Sequence, residues 1–428
     1  MDTRNRTSIG HNTLGAVSIQ LVVIMVPVIF GMMGFAVDLG RLYLIRGELN
    51  QAANAMALAA ASKLIGTTAA INDANTAAQL TLDNTLSTGN KYNFGSLQIG
   101  QTTGILSSAA PDPSYFSAAA DAVSLDSGGT GSGNADGTTA KYAQANITAD
   151  APLTFWALLS LGQMRKTQLA ARAVAGMSAP LCTACGIEPF AIAPIDATDT
   201  ANFGFAAGTQ YTFGYVCNGL PAPQPLSGSV QRIPFLLLDR YDTGSTFDET
   251  QQLYRTGAQG VIPSPTLTQA CFTVNNPEVV WASATVQNCG TNLVSGSVVD
   301  VLCGLDSRFE NTPPSGCTGI TDIDTISSAY LPDRDITSLD DYTAYTGSVR
   351  RVITVPIVDA LNATGSMTVQ GFRQFLVEPT VNLTGVNPSD TNGRFAALYI
   401  GSVVPLKQGR FDGGCDAQAG PGKVVLHQ

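Results

Sequence analysis

The hydrophobic pattern near the start of the chain predicts a membrane-spanning helix. Residues 14–37 contain no charged side chain. About 20 apolar residues in a helix are enough to cross a bilayer core of about 30 Å. Backbone amides in hydrocarbon must pair with one another, so this segment must be helical where it meets lipid. Pro27 lies inside the run and predicts a kink.

After Asp38 the pattern becomes amphipathic, which predicts that the same helix continues beyond the membrane. Apolar and small residues recur at steps of three and four, the spacing of one helical face. No strong stop signal occurs before Gly66, so we expect one helix of about 50 residues, or about 75 Å. Its small residues allow close approach, either to the chain's own globular part or to a neighbouring subunit. The predicted docking face is Leu42, Ile45, Leu49, Ala52, Met56 and Ala59.

The residues on both sides of Asp38 resemble a known family. The junction Ala36-Val-Asp-Leu-Gly-Arg41 and the run Glu48-Leu-Asn-Gln-Ala-Ala-Asn-Ala55 are similar to the N-terminal region of TadG-like and TadE-like proteins. These are pilus-assembly components of the bacterial Tad (Flp) secretion system. The resemblance covers roughly 50 residues. It implies a single-pass protein of the bacterial inner membrane, with a cytoplasmic N-terminus and a large exported domain.

Two departures limit what the resemblance implies. Pilins cleaved by a prepilin peptidase carry a Glu five residues after the Gly at the cleavage site. Here Gln20 occupies that position after Gly15, so the spacing does not predict processing. The Asp-x-Ser-x-Ser metal motif of von Willebrand A-type domains is also missing from the sequence, so metal-dependent adhesion is not implied.

The whole chain is predicted to be a membrane-anchored α+β protein. Its long N-terminal helix would pack on a small pilin-like sheet, followed by a β-rich, disulfide-containing domain. Short β-branched runs between turn signals, Val298–Leu302 among them, predict that domain to be a sandwich or an irregular all-β fold. The predicted divisions are a cytoplasmic tail at 1–13, the transmembrane helix at 14–37, a TadG-like, pilin-like region at 38–178 with a Gly/Ser-rich loop at 126–137, and the β-rich exported domain at 179–428.

Composition and charge narrow the possible functions. A net charge of −10 and the lack of a Lys/Arg cluster argue against nucleic-acid binding, which depends on phosphate neutralisation. His11 and His427 are the only histidines, so an imidazole base would have to come from a chain end. The Asp-Ser/Thr-Gly triplets at Asp126 and Asp242 are typical of turns. We therefore expect no enzyme, no cofactor and no catalytic or metal-binding residue.

The cysteines indicate an oxidising compartment for everything beyond the span. All eight lie distal to it, and an even number in an exported segment is typical of disulfides. This places the N-terminus inside. For Cys182-Thr-Ala-Cys185 a structural disulfide is favoured, with a metal or redox site as the alternative. The disulfide candidates are Cys182, Cys185, Cys217, Cys271, Cys289, Cys303, Cys317 and Cys415.

An acidic cluster between Asp322 and Asp341 is the remaining candidate for a site. It lacks the Asp-x-Asp-x-Asp-Gly spacing of a calcium loop. A solvated acidic surface is the favoured interpretation, with calcium binding as the alternative.

The sequence thus predicts a non-catalytic, inner-membrane-anchored component of Tad (Flp) pilus assembly that acts through helix packing and periplasmic protein contacts. Expected partners are the membrane, other Tad pilus-assembly proteins or pilin subunits, and a second copy through the N-terminal helix. The alternative is a tethered or surface-displayed adhesin or minor pilin, which would bind an external ligand through its C-terminal β domain.

Overall fold

The chain forms two compact units. One draws on Met1–Ala55, Leu80–Pro111 and Asn146–Arg172, and the other on Met56–Gln79, Asp112–Ala145 and Ala173–Gln428. The predicted tail at 1–13 and most of the predicted loop at 126–137 lie outside the residues that the structure describes. This structure, a computed structural model, describes residues 14–82, 112–124, 135–153, 155, 165–216, 224–226, 231–239, 247–258, 271–274, 279–282, 287, 296–309, 316–333, 340–379, 385–411, 415 and 419–427.

The N-terminal helix α1 dominates the helical part of the chain. It runs without interruption over Leu14–Ala61, 48 residues, and contains Pro27. This confirms the long apolar N-terminal helix. Among the described helices it alone is long and apolar enough to cross a membrane. The shorter helices are α2 (Ala70–Leu82), α3 (Ala119–Ser124), α4 (Phe247–Thr256), α5 (Gly296–Asp306) and α6 (Thr321–Ala329), and Tyr342–Ala344 forms a 3₁₀ turn.

The described strands form three sheets. Their orders are β1-β2-β3-β14, β10-β5-β7-β6-β12-β11-β9 and β13-β4-β8. The strands are β1 (Ser114–Phe116), β2 (Tyr142–Leu153), β3 (Arg165–Met177), β4 (Thr183–Cys185), β5 (Phe190–Ile192), β6 (Gln210–Tyr215), β7 (Gln231–Leu237), β8 (Cys271–Thr273), β9 (Val279–Trp281), β10 (Val352–Val358), β11 (Ser366–Val377), β12 (Phe395–Tyr399), β13 (Gly409–Arg410) and β14 (Val424–His427).

The first sheet follows from a period-two pattern. Ala143, Ala145 and Ile147 on β2 are buried, whereas Asn146 and Thr148 between and beyond them are exposed. β14 pairs antiparallel with β3, from Val424 opposite Met177 to His427 opposite Val174. The likeness of this sheet to a pilin sheet and the predicted division at residue 178 stay predictions.

Six strands of the largest sheet close into a barrel. β10 pairs with β5 at one end of the order and with β11 near the other, which leaves no free edge between them. Alternate residues of all six strands belong to one buried cluster, so the barrel interior is filled by side chains. These interior residues are Phe190, Ile192, Tyr211, Phe213, Tyr215, Ile233, Phe235, Leu237, Ile353, Val355, Ile357, Phe375, Val377, Phe395, Ala397 and Tyr399.

The barrel differs from the predicted sandwich or irregular all-β domain, and helices interrupt it. The run Val298–Leu302, predicted to be a strand, lies inside helix α5. Short apolar runs fit a buried strand and a buried helix equally well, so their periodicity does not separate the two. Val298, Val301 and Leu302 pack against the interior cluster instead of pairing with a strand.

Candidate functional site

Helix α1 changes its surroundings along its length. Between Ile19 and Val37 the large apolar side chains are 43–69% exposed, as expected of a lipid-facing segment. Beyond Asp38 the chain covers one side of the helix. Of the predicted docking face, Ile45, Leu49, Ala52 and Met56 are buried, while Leu42 and Ala59 are half-buried.

The buried side of α1 includes more residues than the predicted docking face. Ala53, Ala57, Ala60 and Ala61 are also buried. Because alanine has a small side chain, it lets neighbouring backbone approach the helix closely. The opposite side stays open: Leu39, Tyr43 and Leu44 are exposed, Tyr43 by 79%. The two sides of the helix are therefore available for different contacts.

Asp38, the first charged residue after the span, makes a specific contact. Its carboxylate oxygens accept hydrogen bonds from the backbone N–H of Phe155, at 3.1 and 3.0 Å. One turn earlier Gly34 lies against the Phe155 ring, where an added Cβ would overlap the ring carbons. Gly34 and Asp38 together form a seat for Phe155, and we call these three residues the exit contact.

The segment that follows α1 is fixed on the outside of the barrel. The hydroxyl of Tyr342 donates to the carbonyl of Ile65, and the backbone N–H of Thr68 donates to the carbonyl of Thr343 at 2.9 Å. Ile65, Tyr342 and Tyr345 form a buried cluster with residues that alternate with the barrel interior, namely Val352, Leu376 and Leu398.

A buried group of charged residues joins the segments around the barrel. Arg308 pairs with Glu188 and donates to the carbonyls of Gly257 and Arg350. We call Arg308, Arg350 and Arg351, with Glu188, Glu378 and Asp333, the arginine cluster. All six residues are buried.

The second and third arginines of the cluster also donate hydrogen bonds within the chain. Arg350 donates to the carbonyls of Leu331 and Ser307, at 2.7 and 3.0 Å. Arg351 pairs with Glu378 at 3.4 Å and donates to the Val377 carbonyl at 2.9 Å. Since the guanidinium groups donate to main-chain carbonyls and pair with internal carboxylates, the arginine cluster cross-links separate segments of the chain.

Asp333 is an exception to the predicted solvated acidic surface, on which Asp324 and Asp341 are exposed. Asp333 is buried, and it accepts hydrogen bonds from the Tyr345 hydroxyl and from the backbone N–H groups of Ser348 and Arg351. Asp322 lies 3.7 Å from Arg255 in a partly exposed ion pair. In the described part of the chain no group of three or more His, Cys, Asp or Glu residues could hold a metal ion.

The two glutamates of the arginine cluster predict how stability depends on pH. Burial raises the pKa of Glu188 and of Glu378 from 4.5 to about 7, opposed in part by Arg308 and Arg351. The folded state therefore keeps protons that the unfolded state releases near pH 4.5. We expect the contribution of each glutamate to the free energy of unfolding to be highest below pH 4.5 and to fall by up to about 3 kcal/mol as pH rises to 7.

Urea unfolding of the full chain in detergent at pH 5 and pH 7.5, followed by tryptophan fluorescence, measures this change. Glu378→Gln keeps the size of the side chain without a titrating proton, so it should reduce the difference between the two pH values. Equal or greater stability at pH 7.5 in the unsubstituted chain would contradict the prediction.

All six cysteines in the described part of the chain form disulfides. The pairs are Cys182–Cys415, Cys185–Cys271 and Cys303–Cys317. No described cysteine is free, and the candidates Cys217 and Cys289 lie outside the described residues. Because Cys182 and Cys185 have different partners, their Cys-x-x-Cys motif is neither a closed redox pair nor a set of metal ligands. Asp126 and Asp242 also lie outside the described residues.

Sequence reasoning missed the partners in these contacts. Asp38 was visible as the abrupt return of charge, but nothing near it points to Phe155, 117 positions away. Arg350 and Arg351 had a signal: two adjacent charges interrupt the apolar run from Val349 to Val355. Such a pair inside a β-rich run is a reason to look for buried carboxylates.

Among the described elements, one exposed apolar helix continues into a disulfide-bonded chain that contains a barrel, which suggests membrane anchoring. Residues 15–63 match the Tad family model, which describes TadE/G-like proteins of Flp pilus assembly. This confirms the resemblance of the N-terminal region, which is a TadE/G-like region, and supports a role in pilus assembly with other pilus components. The family match also suggests a non-enzymatic protein. No curated protein and no solved structure matches the chain.

Proposed function

We propose that this chain is a non-catalytic, single-span inner-membrane component of Tad (Flp) pilus assembly. The observation that carries the proposal is α1 itself: within the TadE/G-like region, its exposed apolar residues lead directly into a side that the chain buries. The disulfides suit an oxidising compartment for the distal part. In this orientation residues 1–13 are cytoplasmic and the barrel is periplasmic.

We further propose that the two sides of α1 have separate roles. The docking face holds the chain's own globular part, because four of its six residues are buried within the chain. The exposed side carries Leu39, Tyr43, Arg46 and Asn50 at helical steps, and we call these four residues the outer stripe. Other Tad pilus-assembly proteins or pilin subunits would pack on the outer stripe.

Substitutions on the outer stripe test this function. A host that relies on this chain should lose its Flp pili when the chain is deleted, and the unchanged chain should restore them. The double variant Leu39→Ser, Tyr43→Ser should not restore them, because buried aromatic anchors at interfaces often contribute about 2 kcal/mol or more. Pili are counted by electron microscopy. Membrane fractionation and urea unfolding should be unchanged, since both side chains are exposed.

The matched control is Gln51→Ser, which changes an exposed polar residue on the same helix that does not belong to the outer stripe. It should restore pili fully. Normal pili in the chain-deleted host would overturn the role in assembly.

Protease added to intact cells should leave the barrel uncut, whereas cleavage would favour the surface-displayed adhesin.

A further inference from the structure

A cavity of about 400 Å³ lies beside the end of α1, within the second unit. Its walls come from four separate segments of the chain, at 58–65, 348–349, 404–407 and 423–424. Volumes of this size are typical of sites that hold a ligand or a few side chains.

The cavity concentrates positive charge in an acidic protein. Lys63, Lys407 and Lys423 line it, and none of its described lining residues is Asp or Glu. The sequence has only six lysines and a net charge of −10, so half of the lysines meet at one cavity. The hydroxyl of Ser348 adds a hydrogen-bond donor, whereas that of Ser62 already donates to the Ala59 carbonyl at 2.7 Å.

Among the described residues, no carboxylate forms an ion pair with these ammonium groups. Lys63 influences Asp73 electrostatically without pairing with it. The pKa of Lys407 is lowered by partial desolvation of its ammonium group and then by repulsion from Lys63. A bound anion would relieve this repulsion.

The remaining wall is apolar, which restricts the kind of anion. Leu58, Val349, Val404 and Leu406 line the same cavity. A small inorganic anion would leave this wall uncovered, whereas a peptide can place carboxylates on the lysines and an apolar side chain on the wall.

We propose that the cavity binds a segment of a partner protein in which acidic residues flank an apolar one. The proposal rests on the proposed function, for which it names the chemistry of a partner. Partly exposed ion pairs are weak and are screened by salt, so binding should weaken as ionic strength rises. The apolar contact supplies the part of the affinity that salt does not screen.

The test uses the purified full chain in detergent and two fluorescein-labelled peptides. One peptide is Gly-Leu-Glu-Leu-Glu-Leu-amide, and the other has both Glu residues replaced by Gln. Fluorescence anisotropy at low salt should show the acidic peptide binding at least about tenfold more tightly, the ratio expected from about 1.4 kcal/mol. In the variant Lys407→Gln, Lys423→Gln this preference should be lost.

Arg410→Gln is the matched control, because it removes an exposed positive charge near Lys407 in sequence that does not line the cavity. It should bind like the unchanged chain, and all variants should unfold at the same urea concentration. Equal binding of both peptides, no binding, or an unchanged preference in the double lysine variant would overturn the proposal. So would lysine-dependent binding to vesicles with 30% phosphatidylglycerol without peptide preference, which would assign the cavity to membrane. The pilus counts are an independent measurement, so the proposed function can fail or hold whatever the peptide-binding result.

Discussion

Replacing Arg308 by alanine is expected to lower the free energy of unfolding by about 3–5 kcal/mol. The Arg308 side chain is completely buried and pairs with Glu188, which is buried too. Removing the guanidinium leaves the Glu188 carboxylate without its cation. It also leaves the carbonyls of Gly257 and Arg350 without this donor. Urea unfolding of the full chain at pH 7.5 measures the loss.

Arg255→Ala is the matched control for this prediction. Arg255 also forms an ion pair, with Asp300 at 3.5 Å, but its side chain is 30% exposed. Water can replace its contacts, so we expect a loss of no more than about 1 kcal/mol. Replacing the buried pair by Glu188→Leu with Arg308→Met should restore much of the stability lost in Arg308→Ala. Equal effects of Arg308→Ala and Arg255→Ala would contradict the structural role of the arginine cluster.

Gly34→Ala is expected to break the exit contact and to reduce pilus assembly while membrane insertion continues. The added methyl group would overlap the Phe155 ring. Overpacking of this kind costs about 1–3 kcal/mol, which lowers the fraction of chains with a closed contact about tenfold or more. Asp38 would then lose the hydrogen bonds that it accepts from the backbone N–H of Phe155. Pilus counts, together with membrane fractionation, measure the two effects separately.

The same helix supplies two controls with the same chemical change. At Gly31 and Gly47 an added Cβ meets no atom within 4 Å. Gly31→Ala and Gly47→Ala should therefore assemble pili normally. A second variant, Phe155→Ala with Gly34→Ala, removes the overlapping ring and distinguishes steric strain from loss of the ring itself. If Gly34→Ala assembles pili as well as Gly31→Ala, the exit contact has no role in assembly.

The sequence predicted the local parts of the fold and missed the parts that depend on distant partners. The span, the helical continuation and the alternating strand β2 are periodic over many neighbouring residues. Barrel closure instead requires Ile192 to pair with Ile357. No sequence pattern near either residue predicts that pairing. Likewise, spacing placed Ile45 and Leu49 on one helix face, and both are buried. It could not predict the contact between Asp38 and Phe155, which lies 117 positions away.

The order of the pairings has a consequence for how the chain can mature. Cys182 is the first cysteine and joins Cys415, the last one. β5 likewise pairs with β10, and β3 pairs with β14, although each partner strand follows much later in the chain. In the proposed orientation α1 is already in the membrane while nearly the whole distal segment is still crossing it. The exported part therefore cannot complete its native fold until translocation is almost complete. Long-range closure of this kind is slow, so the tethered, unfinished chain would depend on periplasmic helpers such as holdases and thiol oxidants.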